Sequence, residues 1–390
     1  MTKLYNYGKQ LLDDDDIQAV VSVLRSDFLT QGPLVLDFEN ALCKRFGSRY
    51  ALAVCNGTAA LHLAGVSLEW KPGDIILTVP ITFLASANCI LYSGATPDFV
   101  DIHPETYTID TQKLEQKITD YATNGQKIKA VVAVDFAGNP CDWEQLRFLA
   151  HQYDFQLIDD AAHAIGAEHH EQNIGSSSYA DITMFSFHPV KHITTGEGGA
   201  LLTNKKELYD KIKLLRSHGM TKEKKHLERN DGPWYYEMHE VGFNYRITDF
   251  QCALGLSQLA KLEEFIKKRR TIAEYYNGVF GKDSRFIIPA SSPNSTHSYH
   301  LYPLQIDFKS FGVNKKTFFE KMRQHGINLQ VHYIPVHLQP FYKKQFGFRE
   351  GDFPVAEEFY HRTVSLPIYP GLEESDLQYI SNTTIKALSV

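Results

Sequence analysis

The sequence offers little that would tie it to a membrane, a nucleic acid or an oxidising compartment. Lysine and arginine (40) are outnumbered by aspartate and glutamate (46), giving a formal net charge of −6. That balance argues against nonspecific binding to DNA or RNA, which relies on neutralising phosphates. No apolar run is long enough to span a bilayer, and Met1-Thr-Lys-Leu-Tyr5 has no signal-peptide pattern, so a cytoplasmic protein is expected. The five cysteines (Cys43, Cys55, Cys89, Cys141, Cys252) are odd in number, scattered and free of C-x-x-C spacing. They suit small core residues in a reducing compartment better than a disulfide or zinc framework. Internal repeats and low-complexity segments are missing too.

What remains is an ordinary globular composition, 43% hydrophobic and 22% charged over 390 residues, enough for one large domain and a smaller one. Four aspartates, Asp13 to Asp16, precede Ile17, Val20, Val21 and Leu24, which share a helical face; the acids are expected to complement the helix dipole. Thr30-Gln-Gly-Pro33 opens a helix expected to run to about Phe46 and stop at Gly47. From Tyr50 the pattern is strand, turn, helix, repeated. Strands are expected at 51–55, 75–79, 97–101, 130–135, 155–159, 181–187 and 200–203, with a helix opening over 59–64 and helices at 84–89, 111–122, 143–153 and 205–216. Such alternation implies an α/β fold, with a mainly parallel sheet covered on both faces. Thr248-x-x-Gln251 is a capping box that starts a helix reaching about Phe280. Beyond Pro289 the pattern changes to a strand at 298–307, a helix at 314–325, a strand at 327–333 and a helix from Glu373, a small α+β unit. The expected division is 1–245, a bridging helical segment at 246–280, and 281–390.

Ligands of parallel sheets bind at the carboxyl ends of the strands. Asn56-Gly57-Thr58 stands at such an end and opens a helix, where free N–H groups and the dipole make a phosphate cradle; an Asn-Gly turn that merely caps the helix would look the same. No G-K-[ST] follows it, and the further glycines of a dinucleotide fingerprint are lacking. Phe83 can pack in the core or stack on a flat ring. Asp160 ends a buried strand in Leu157-Ile-Asp-Asp-Ala-Ala-His163. It either caps a helix from Ala161 or faces a cation such as a protonated ring nitrogen, and His163 is either a core histidine or a ring contact. Lys191 lies in Phe185-Ser-Phe-His-Pro-Val-Lys-His-Ile-Thr-Thr-Gly-Glu-Gly-Gly199, among aromatic, hydroxylic and glycine residues. It is a surface-turn lysine or a partly desolvated amine of lowered pKa. His188 and His192 have i,i+4 spacing, but Pro189 breaks the helix a metal pair would need, and no glutamate follows His188.

The order of these features is more telling than any one of them. Asp-Asp-Ala-Ala-His followed by Phe-Ser-Phe-His-Pro-Val-Lys resembles the fold type I pyridoxal 5′-phosphate enzymes, and among them the DegT/DnrJ/EryC1/StrS sugar aminotransferases, over nearly the whole chain. Leu29-Thr-Gln-Gly, Arg216-Ser-His-Gly-Met, Ala253-Leu-Gly-Leu-Ser-Gln-Leu and Gln330-Val-His-Tyr are closer still to the branch acting in pseudaminic acid biosynthesis. The resemblance implies a large cofactor-binding domain and a smaller C-terminal one. It implies that Lys191 holds the cofactor covalently and shuttles protons, and that Asp160 faces its ring nitrogen. His163 would lie beside the ring oxygen, where many relatives have glutamine. Gly57, Thr58 and Ser186 would hold the phosphate, and Phe83 would stack on the ring. Asn244 would reach the phosphate of a neighbouring subunit, implying a homodimer with shared sites. Asn56 and Phe83 stand where relatives often have serine and tryptophan, and both exchanges keep the chemistry. The implied reaction takes the amino group of L-glutamate, through pyridoxamine 5′-phosphate, to C4 of a UDP-linked 4-keto-6-deoxy sugar. His332, Tyr333 and His337 are the candidates for sugar contacts. A dehydratase of the same family would carry histidine in place of Lys191, and a noncatalytic relative would have lost Lys191 or Asp160; both residues stand.

Overall fold

The computed structural model describes residues 3–389. At its centre is a seven-stranded sheet: β1 (Tyr50–Val54), β2 (Ile75–Thr78), β3 (Thr96–Phe99), β4 (Ile128–Val134), β5 (Gln156–Asp160), β6 (Ile182–Ser186) and β7 (Gly199–Thr203). Their order across the sheet is β1-β7-β6-β5-β4-β2-β3, and β7 alone runs antiparallel to its neighbours. The helices α1 (Asp14–Leu24), α2 (Pro33–Phe46), α3 (Gly57–Ser67), α4 (Leu84–Tyr92), α5 (Thr111–Thr123), α6 (Trp143–Tyr153) and α7 (Lys206–Arg216) lie within a residue or two of the expected positions, α4 running three beyond.

Strand alternation sorts the sheet into two apolar layers. Ala51, Ala53 and Leu157 pack with Phe38, Phe46 and Trp143, while Leu52, Val54 and Ile158 pack with Ala60, Leu63 and Ile90. Because side chains alternate, Asp159 and Asp160, at the end of β5, go to opposite faces. Asp160 shares the parity of Ile158 and so enters the layer of α3 and α4. That register decides which of the two acids can meet a ligand at the N-termini of those helices.

Two local expectations change. Asp13 is the N-cap of α1, but Asp16 does more than answer the helix dipole. Its side chain is buried, accepts bonds from Ser257 Oγ at 2.6 Å and Gln258 Nε2 at 2.8 Å, and pairs with Lys261 at 3.0 Å. It therefore locks α1 onto α8 (Asp249–Ala260). The strand expected at 327–333 is only Ile327–Asn328, paired in parallel with Tyr5–Asn6. After Asn328 the backbone leaves the ladder, returns once at Gln330 opposite Ser365, and runs on as an irregular segment.

α9 (Leu262–Phe280) follows α8 after a break at Lys261. Its Ile272, Tyr276 and Phe280 join a third apolar cluster, with β9 (Tyr302–Ile306) and β10 (Thr363–Leu366) of a three-stranded antiparallel sheet whose other strand is β8 (Phe286–Ile287). α10 (Lys315–Gln324) and α13 (Glu374–Ala387) cover that cluster; α11 (Pro340–Phe346) and α12 (Pro354–Arg362) lie between them in the chain, and α12 packs its Ala356 and Phe359 into the Phe38 layer. The strand expected at 298–307 begins only at Tyr302. Ser298 and Leu301 instead give their N–H groups to Gly138 and Ala137, past the end of β4. Cys89, Cys141 and Cys252 are buried and Cys43 and Cys55 half-buried, all five unbridged.

Candidate active site

The carboxyl ends of β1, β2, β4, β5 and β6 open into one cleft of about 760 Å³. Lys191, Asp160, His163, Gly57, Thr58, Phe83, Ser186, His332 and Tyr333 all line it. Thus the loops at the strand ends, the start of α4 and the irregular segment after Asn328 converge on a single site.

The turn after β1 supplies a cradle. Asn56 caps α3 by accepting from Ala59 N at 2.8 Å, which leaves the first N–H groups of the helix facing the cleft beside Thr58. The cradle tolerates no added bulk. A Cβ on Gly57 would stand 3.1 Å from Ser186 Cβ, and one on Gly199 would stand 2.7 Å from the Asn56 carbonyl carbon and oxygen. The glycine turn behind Lys191 therefore lets β7 pass hard against this turn.

Lys191 sits in the loop between β6 and β7, which is closed at its neck by Phe187 N to Gly198 O at 2.9 Å and Thr195 N to Phe187 O at 3.1 Å. Burial, opposed by Asp160 and reinforced by the Arg269 charge, lowers its pKa from 10.5 to about 8. An ammonium in this setting gives up its proton far more readily than a surface lysine. Of the two readings of the sequence, the pocketed amine is the one observed.

No helix starts at Ala161, so Asp160 is not a cap. Its Oδ2 accepts from Ser86 Oγ at 2.5 Å and its Oδ1 from Ala162 N at 3.2 Å. Burial raises its pKa, while Ser86, the Ala162 N–H and Lys191 pull it down. Ser86 Oγ is also 2.7 Å from Thr82 Oγ1. Neither Ser86 nor Thr82 was singled out in the sequence; both lie within four residues of Phe83, and a hydroxyl one turn into a helix that starts at a strand end was the available signal. Below the sheet, Asp135 and Asp159 are buried with one unpartnered oxygen each, Oδ2 and Oδ1. Burial pushes Asp135 up to about 7 and, with the Asp135 charge beside it, Asp159 well above its usual range.

Phe83 is 57% exposed, its ring 6.0 Å from that of Tyr333. His163 is buried and bonded at both ring nitrogens, to Ala137 N at 3.3 Å and Tyr333 Oη at 3.0 Å. His332 is tied to Ser365 Oγ at 2.8 Å, and burial lowers its pKa to about 3. Tyr7, Gln330, Gln339 and Glu197 line the cleft without having been anticipated. Two candidates lie elsewhere. His337 is fully buried against Glu357, at 2.9 Å, and Phe353, outside the cleft. Asn244 is exposed, pairs its backbone with Ser217, and does not line the cleft of its own chain. His192 gives Nε2 to Ser298 O at 3.0 Å, while His188 is exposed at the cleft mouth.

The model of the DegT/DnrJ/EryC1/StrS aminotransferase family matches residues 10–384. The chain belongs to that family. Among curated relatives of this aminotransferase is the UDP-4-amino-4,6-dideoxy-N-acetyl-beta-L-altrosamine transaminase of Campylobacter jejuni, 40% identical over 99% of this chain and 98% of that protein. Among solved structures, Helicobacter pylori PseC, an aminotransferase of pseudaminic acid biosynthesis, superposes with a TM-score of 0.89 at 35% identity over 99% of both chains. The sugar aminotransferase Spr1654 of Streptococcus pneumoniae has been solved in a PMP form (TM-score 0.88, 29% identity, 98% of both chains) and a PLP form (0.87, 28%, 100% and 99%). The fold is that of the PLP aminotransferases, an α/β architecture with a mainly parallel central sheet.

Proposed function

We propose that this aminotransferase moves the amino group of L-glutamate to C4 of UDP-2-acetamido-2,6-dideoxy-β-L-arabino-hex-4-ulose, using pyridoxal 5′-phosphate, as a cytoplasmic homodimer. The observation that carries the reading is one cleft holding a buried carboxylate, an amine of lowered pKa and a glycine-walled helix N-terminus. The donor set fits the cofactor group by group. The α3 N-terminus with Thr58 and Ser186 would hold a phosphate, Asp160 a protonated ring nitrogen, and Phe83 a ring face. When bound, pyridoxal phosphate supplies an electron sink for a carbanion at the substrate carbon.

The chain supplies the rest. Ser86 and the Ala162 N–H favour the ionised form of Asp160 against the effect of burial, the form that would hold a proton on the ring nitrogen. Lys191, neutral in an appreciable fraction at pH 7–8, takes a proton from the amino-bearing carbon and returns it on the other side of the reaction. Substrate identity rests on the similarity to the Campylobacter jejuni and Helicobacter pylori proteins. The shared-site dimer is supported by Asn244, exposed and absent from its own cleft. The same reading divides the chain into a cofactor-binding portion (1–245), a helical bridge (246–280) and a C-terminal domain (281–390). The test is to offer glutamate with a panel of UDP- and dTDP-linked 4-keto and 3-keto sugars. A 4-amino UDP sugar formed in step with 2-oxoglutarate is expected; amination confined to other sugars would reassign the substrate, and none at all would refute the reading.

A further inference from the structure

We propose that Tyr333 is a catalytic residue, a one-way hydrogen-bond donor to the keto oxygen of the sugar, and that His163 is the positioning residue that fixes its direction. This rests on the transaminase reading above, and the argument begins at His163. The Ala137 N–H points at His163 Nδ1 at 3.3 Å. A backbone N–H can only donate, so Nδ1 must be the bare, accepting nitrogen. The single proton of a neutral imidazole is then on Nε2, which stands 3.0 Å from Tyr333 Oη. His163 donates that proton, and Tyr333 Oη accepts it. The tyrosine's own hydrogen is left over, and Tyr333 faces the cleft that holds Lys191 and Asp160.

Three further features hold this polarity in place. Ala137 has a φ of 60°, in the left-handed region that costs a non-glycine residue about 1 kcal/mol, and the turn that imposes it aims the N–H. His163 is otherwise pinned through its carbonyl, which accepts from Ser298 Oγ at 3.2 Å. Burial, with Lys191, His332 and His192 nearby, keeps the imidazole neutral, and burial likewise keeps Tyr333 from ionising. A hydroxyl whose oxygen already accepts from His163 presents its hydrogen to the ligand side, which favours an acceptor atom there. The carbonyl oxygen of a keto sugar is such an atom, whereas a sugar hydroxyl or an ammonium is satisfied as well by other residues. As an amine adds to the carbonyl carbon, the C–N bond forms and the C=O π pair moves onto oxygen; Tyr333 stabilises that charge by its hydrogen bond, its O–H bond staying intact.

Two measurements test this. Histidine-selective ¹⁵N NMR of the full-length protein, with His163→Gln for assignment, is expected to find His163 neutral with its proton on Nε2 between about pH 6 and 9. A proton on Nδ1 overturns the proposal, and this result needs no variant to fold correctly beyond the assignment. In single-turnover kinetics of the aminated holoenzyme with keto sugar, Tyr333→Phe is expected to slow the step about 100-fold, the usual loss of one such donor, with melting temperature and cofactor retention unchanged. An unchanged rate overturns the proposal. So does a shift in the pH midpoint of the cofactor absorbance with no loss of rate, because the donor would then serve the cofactor. A wild-type protein that accepts glutamate's amine but aminates no keto sugar overturns the substrate reading and this target together. It is recognised as that failure because the His163 tautomer stays as predicted.

Discussion

Ser86→Ala should damage the chemistry without touching substrate or cofactor. Asp160 is buried and, among the described residues, accepts two hydrogen bonds, from Ser86 Oγ at 2.5 Å and the Ala162 N–H at 3.2 Å. A hydrogen bond to a charged group contributes about 1.5–3 kcal/mol, and about 1.4 kcal/mol corresponds to one pKa unit. Loss of the shorter bond therefore pushes the already raised Asp160 pKa further up, because burial is then opposed only by the Ala162 N–H and Lys191. The free energy of that one bond, read as a ratio, weakens its hold on a ring-nitrogen proton by about 10–100-fold. Thr82 Oγ1 stands behind Ser86 at 2.7 Å, so Thr82→Val removes only the outer link and should have a smaller effect in the same direction. Stopped-flow absorbance after addition of L-glutamate measures the first half-reaction, and equilibrium dialysis measures cofactor retention. A glutamate half-reaction as fast in Ser86→Ala as in wild type would refute the role given to Asp160 and its hydroxyl.

Further outcomes follow from the same geometry. Gly199→Ala forces a Cβ to 2.7 Å from backbone atoms of Asn56, which cannot swing aside, and should cost about 1–3 kcal/mol and weaken cofactor binding. Gly196→Ala meets nothing within 4 Å, and with its φ of 80° should cost only about 1 kcal/mol, leaving binding intact; thermal melts with and without pyridoxal phosphate separate the two. Asp159→Asn should stabilise the protein at pH 8 relative to wild type. Carboxyls with raised folded pKa contribute stability that is full below the unfolded value and lost as pH rises through the folded one, about 7 for Asp135; a variant whose melting temperature falls with pH as steeply as the wild type would contradict this. Lys191 is the opposite case, a base lowered from 10.5 to about 8, so its amine should become reactive as pH rises through about 8, as read by pH-dependent amine labelling of the apoprotein.

Much of the architecture could be read from the chain because it rests on local signals. Alternating apolar runs and turns placed all seven strands of the central sheet, and Pro33, Gly47 and the Thr248-Gln251 box set helix ends where the structure has them. The side chains that sequence order suggested around Lys191 do line one cleft, because strand ends of a parallel sheet converge whatever their separation in the chain. What could not be read depends on long-range packing. Ser86 matters only because α4 lies across from the end of β5. Tyr7 reaches the cleft because Tyr5 pairs with Ile327. His337 resembled His332 in sequence, yet Glu357, on α12, draws it into a buried pair away from the site. Asp16 looked like one of four equivalent acids until α8 supplied partners for it alone.

The central claim is that Lys191 is the amine that meets the cofactor. Borohydride reduction of the pyridoxal phosphate–loaded protein followed by peptide mass mapping tests it most directly. A phosphopyridoxyl group fixed on Lys191 is the expected result; a group on another lysine, or none on any, would contradict the account.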